Sequence, residues 1–66
     1  MTIRINGTPK TLDHPLTIRE LLTEIGLGEK PVVVELNRLA LFPREYSDHI
    51  LKDGDVIEII EVAAGG

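Results

Sequence analysis

The chain has no cysteine and no tryptophan among its 66 residues, and Phe42 and Tyr46 are its only aromatic side chains. Without a thiol there is no disulfide framework, no thiolate nucleophile and no zinc site of the cysteine type, a pattern that fits a reducing cytosol. Aliphatic packing must fill the core. No apolar run approaches the ~20 residues needed to cross a bilayer, and Met1 leads directly into alternating Thr2-Ile3-Arg4-Ile5 without a charged or apolar leader. A cytoplasmic protein with no membrane contact is therefore expected. Basic residues are also in deficit. With 7 Lys and Arg against 11 Asp and Glu, the formal charge is −4. That balance repels a phosphate backbone and favours a basic protein partner over nucleic acid. A chain this short holds one core and buries only about 60% of its unfolded surface, which leaves no room for a deep substrate cleft.

What is present reads as one α+β unit. Residues 1–6 alternate with period two, placing Met1, Ile3 and Ile5 on one face, and Asn6-Gly7 is a hairpin turn because both residues tolerate positive φ. A second strand is expected over Pro9–Leu12, with Pro9 suiting an edge because it cannot donate to a ladder. Thr17 and Glu20 have the spacing of a capping box, and Leu16 and Leu21 that of a hydrophobic staple. Ile18, Leu21, Leu22 and Ile25 then form one apolar helical stripe, which Gly26 ends as a left-handed cap with Leu27 folding back on Leu22. Val32–Leu36 is β-branched and reads as a buried central strand with Val32, Val34 and Leu36 inward. Asn37-Arg38 suits a turn, Leu39–Phe42 a short strand and Pro43–Tyr46 one helical turn. Lys52-Asp53-Gly54-Asp55 turns the chain into a last strand, Val56–Val62, with Ile57 and Ile59 inward and Val56, Glu58, Ile60 and Val62 on the other face. The expected fold is a mixed sheet of four to five strands on one main helix, with residues 1–62 as the domain and 63–66 as a flexible tail.

No internal catalytic set emerges. Ser47-Asp48-His49 are adjacent, so their side chains fan apart, whereas a triad needs separated residues to converge beside an oxyanion site. His14 and His49 lack a third metal ligand at any recognisable spacing. Asp53-Gly54-Asp55 is too short and too poor in carboxylates for a calcium loop, and no glycine-rich phosphate loop occurs. No bound cofactor or metal is expected, and the chain is read as no enzyme.

Chemistry is left to Ala63-Ala64-Gly65-Gly66. Glycine, lacking Cβ, threads a narrow channel and adopts angles closed to other residues, so a partner enzyme can lead the Gly66 carboxylate to a nucleotide. A carboxylate is a poor electrophile. Joined to AMP from ATP it becomes an acyl-adenylate, which a low-pKa thiol or persulfide can displace. Nothing in the chain performs that adenylation, so it must come in trans. On the sheet beside the tail, Ile60 and Val62 form an apolar strip with acidic Glu58 next to it. These three residues either dock a partner or are covered by the neighbouring loop.

The order of a hairpin with Asn6-Gly7, a capped helix over Thr17–Ile25, strand Val32–Leu36, Pro43-Arg44-Glu45-Tyr46, Ile50, Asp53-Gly54-Asp55 and Gly65-Gly66 closely resembles the bacterial sulfur carrier proteins of thiamine (thiazole) biosynthesis. The resemblance spans the whole chain, and Tyr46 stands where the family often has tryptophan. It implies the ubiquitin-like β-grasp fold and places the acceptor role on Gly66. It further implies adenylation by an E1-like adenylyltransferase that consumes ATP, conversion to a thiocarboxylate with sulfur from a persulfide donor, and transfer to thiazole synthase. The small subunit of molybdopterin synthase and ubiquitin-like carriers for tRNA thiolation share tail and topology. A passive β-grasp interaction module is the reading of a different class.

Overall fold

The computed structural model describes residues 1–62. Its elements are β1 (Thr2–Ile5), β2 (Thr8–Thr11), α1 (Ile18–Glu24), β3 (Val32–Leu36), β4 (Leu39–Leu41), a 3-10 turn (Pro43–Glu45) and β5 (Val56–Glu61). The five strands form one sheet in the order β2-β1-β5-β3-β4, so the last strand in sequence is the central one in space. β5 runs parallel to β1 and antiparallel to β3. The expected tail, residues 63–66, lies outside the described residues.

Both hairpins turn on two residues with positive φ, Asn6 (49°) with Gly7 (84°) and Asn37 (50°) with Arg38 (71°), the backbone that matches the right-handed twist of the flanking strands. In this register β2 turns the amide position of Pro9 toward its open edge, where a missing donor leaves nothing unpaired. The helix begins as its residues demand. The Glu20 backbone N–H donates to Thr17 Oγ1 at 3.1 Å, and the Thr17 backbone N–H donates to Glu20 Oε1 at 2.8 Å. It ends in a Schellman arrangement, with Leu27 N–H donating to Leu22 O at 2.7 Å and Gly26 N–H to Thr23 O at 3.1 Å.

Ile18, Leu21 and Leu22 of α1 pack with Ile3, Val34, Leu41, Leu51, Ile57 and Ile59 in one core. Tyr46 joins it. Its ring is buried, its hydroxyl reaches Val32 O at 3.5 Å, and the Arg19 guanidinium lies over it at 5.3 Å. Burial pushes the Tyr46 hydroxyl pKa up, against the pull of Arg19.

Four expectations are corrected, the first being the end of the last strand, which stops at Glu61 and not at Val62. β3 lies between β4 and β5 and is buried on one face only, with Val33 46% exposed, because a single helix covers a single side of the sheet. β2 starts one residue earlier than expected and ends one residue earlier. β4 stops at Leu41, since Phe42 gives its N–H to Glu45 Oε1 at 2.9 Å and precedes Pro43, which holds it extended.

The Glu20 carboxyl is held below its ordinary pKa, first by the hydrogen bond from the Thr17 backbone and then by that with the Thr17 side chain. A depressed folded value means this contribution is complete above the ordinary glutamate range and fades as pH falls through the lower folded value. Glu20→Gln is expected to flatten that part of the acid limb in urea unfolding measured across pH; an unaltered slope contradicts the cap's role.

Candidate functional site

β5 owes its position to side chains that reach it from both hairpin turns. Asn6 N–H donates to Ile57 O at 2.9 Å, and where β1 turns away the Asn6 side chain continues the ladder, accepting from Ile59 N–H at 2.8 Å and donating to Ile59 O at 3.0 Å. On the other side Asn37 N–H donates to Val56 O at 2.8 Å and Asn37 Oδ1 accepts from Val56 N–H at 2.9 Å. Asn37 Nδ2 also donates to buried Asp55, whose second carboxylate oxygen accepts from Lys52 N–H. Asp53 takes the Thr2 N–H at 2.7 Å. The Asp53-Gly54-Asp55 turn thus fixes the entry of β5 beside β1.

Strand alternation then sorts the residues of β5. Ile57 and Ile59 enter the core, while Glu58 and Ile60 lie on the outer face; Ile60 is 64% exposed, and Val62, one residue past β5, 49%. Among the described residues no neighbouring loop covers them. In register, Val33 lies opposite Ile60 and Glu35 opposite Glu58. Just past the strand Val62 N–H donates to Pro31 O at 2.9 Å, next to a Lys30–Glu61 ion pair at 3.7 Å. The residues singled out beyond it, Ala63, Ala64, Gly65 and the acceptor Gly66, lie outside the described residues.

The remaining candidates form no site. Asp48 N–H donates to Glu45 O, and His49 Nε2 lies 3.7 Å from Glu45 Oε2, so Ser47-Asp48-His49 is a polar turn packed on the 3-10 segment. Among the described residues no three metal-ligating side chains cluster. Two surface depressions, of about 340 and 500 Å³, lie beside Arg4 and Asp53 and beside Arg19 and Lys30. Asp53 in the first is already taken by the Thr2 amide, and Arg19 in the second by Tyr46 and Pro43.

A sequence profile described as the ThiS family matches residues 3–66. The chain belongs to the ThiS family. It is 40% identical over 62 residues to the sulfur carrier protein ThiS of Thermus thermophilus, covering 94% of this chain and 95% of that one. The crystal structure of a thiamine biosynthesis protein, ThiS, from Geobacter metallireducens matches with a TM-score of 0.85 at 33% identity, over 100% of both chains. A thiazole synthase of Paramagnetospirillum magneticum is 34% identical over 67 residues, which is 100% of this chain and 20% of that protein. The β-grasp fold anticipated from residue order is the fold found here and in the ThiS neighbour. The chain is thus a ubiquitin-like sulfur carrier of thiamine biosynthesis, a carrier and not a catalyst. No helix among the described residues of this ThiS chain is long and apolar enough to cross a membrane.

Sequence reasoning named Ile60, Val62 and Glu58 but missed Val33, Glu35 and Phe42 on the same face. Alternation in Val32–Leu36 carried the signal for the first two, yet only the register of β3 against β5 shows what they lie beside. Adjacent isoleucines test the sidedness of β5. Ile59→Ala is expected to cost about 3 kcal/mol in denaturant unfolding and Ile60→Ala about 1 kcal/mol or less. Equal losses contradict the assignment of faces.

Proposed function

We propose that the Gly66 carboxylate of this ThiS chain is the sulfur acceptor. An E1-like adenylyltransferase presents ATP, the carboxylate oxygen bonds to the α-phosphorus, and pyrophosphate leaves. The terminal sulfur of a persulfide donor then attacks the acyl carbon and AMP leaves. A second donor thiol cleaves the S–S bond of the resulting acyl disulfide, releasing the thiocarboxylate and a disulfide. The thiocarboxylate delivers its sulfur to thiazole synthase. Each protein that handles Gly66 docks on the outer face of β5 through Ile60, Val62 and Glu58. The chain itself supplies no catalytic group, holds no cofactor, and acts as co-substrate in the cytoplasm.

The observation that carries this reading is a family match that runs through Gly65-Gly66. Covalent geometry supports the docking surface. Gly66 is the fourth residue after Val62, and four extended residues span at most about 14 Å. An active site that reaches Gly66 must therefore sit close to the exposed Ile60 and Val62. The thiazole synthase similar along this whole chain supports that enzyme as the recipient, because tethering carrier to acceptor raises their effective concentration.

Incubation with ATP, the adenylating enzyme and a persulfide donor is expected to exchange one oxygen for sulfur on Gly66, read by intact mass and by fragmentation. Deleting Gly66 should abolish the exchange and leave Tm unchanged, since the buried core runs from Ile3 to Ile59. A mass that stays constant with every E1-like partner would favour a passive binding module.

A further inference from the structure

The sheet face away from α1 carries an apolar row and, one rung along, an uncompensated pair of charges. Val33 and Ile60 are directly opposed on β3 and β5. Phe42 extends the row by register, because it follows Leu41, the partner of Val34, and it is 59% exposed. On the next rung of this face, about 7 Å along the strands, Glu35 and Glu58 oppose each other. Like charges in directly opposed positions weaken a sheet. Lys10 pairs with Glu24, Lys30 with Glu61, the Arg4 guanidinium donates to Gly7 O, and the Arg44 guanidinium lies over the Phe42 ring at 4.7 Å. Among the described residues neither Glu35 nor Glu58 has a cation within 4.0 Å.

We infer that this face takes a protein partner whose apolar contact on Val33, Ile60 and Phe42 is flanked, one rung away, by an arginine that bridges Glu35 and Glu58. A guanidinium presents paired donors to carboxylates and removes the repulsion that the free chain bears. The apolar row supplies contact area and the acidic pair selects among partners, since a surface lacking the cation leaves both carboxylates facing it unpaired. This deepens the docking role proposed above and rests on it, adding Val33, Glu35 and Phe42 to the surface and stating the chemistry of what covers it.

The test sets stability against binding. Glu35→Gln/Glu58→Gln is expected to raise Tm by a few degrees, as repulsion is relieved. The same variant should bind the E1-like adenylating enzyme from the same genome roughly tenfold more weakly by calorimetry. Raising salt should weaken the wild-type complex and leave that of the variant little changed. A structural role would lower Tm and would not give opposite signs. If the wild type binds and the double variant binds equally well, or if Tm falls, this inference is overturned while the docking reading stands. If the wild type binds neither the adenylating enzyme nor thiazole synthase, the proposed function falls and takes this inference with it.

Discussion

The fold depends on holding β5, the last strand made, in the middle of a sheet whose other strands are already joined in two hairpins. β1 turns away before β5 ends and β3 turns away where β5 begins, which would leave strand-edge groups without ladder partners. Two asparagine side chains supply what is missing. Asn6 completes both bonds to Ile59, and Asn37 accepts from Val56 while its amide nitrogen reaches Asp55. Each residue is in the left-handed conformation its hairpin turn requires, so one residue type meets a local and a distant demand together. Glutamine or aspartate at either position would disturb one of the two: the former is longer, and the latter lacks the donor.

With β5 fixed, the two faces of the sheet have different tasks. A single helix, capped at Thr17 and stopped at Gly26, covers one face and gathers the buried aliphatics. Among the described residues the other face has no second layer, and this is why Val33, Ile60 and Val62 are exposed despite β-branched or strongly apolar side chains. The edges are guarded by small devices: Pro9 removes a donor from β2, and Glu45 occupies the Phe42 N–H just past β4. Apolar contact is thereby offered on the face and restricted at the edges.

How far the sequence could be read follows from the range of the interactions concerned. The capping box, the Schellman end, both Asn-initiated turns and the 3-10 turn at Pro43 involve residues a few positions apart, and each stood where its residues predicted. The inward Ile57 and Ile59 followed from periodicity, whereas Tyr46, read only as part of a helical turn on a surface loop, is buried in the core. What was not legible depends on register. Nothing local says that Val33 meets Ile60 or that Glu35 meets Glu58, and Asn6 reads as a turn residue although its side chain bonds a residue 53 positions away. The acceptor role of Gly66 is a proposal of another kind, resting on the reactivity of a carboxylate that an outside enzyme can activate and on its place in the family pattern; Gly66 lies outside the described residues.

The proposed chemistry constrains how tightly this surface can bind. If Gly66 is never more than about 14 Å from Val62, the protein that activates it and the protein that takes its sulfur must cover overlapping parts of one face. They cannot be bound together through that face, so the first must leave before the second arrives. A row of three apolar side chains with one charge contact is consistent with that need, because affinity in such small patches resides in a few residues and release stays fast. A larger apolar face would hold the adenylating enzyme too long and would expose the free carrier to self-association. The acidic pair resolves this tension in part. It adds discrimination and speeds encounter with a cationic partner without adding apolar area, at a cost in stability of a few tenths of a kcal/mol that the buried face easily carries.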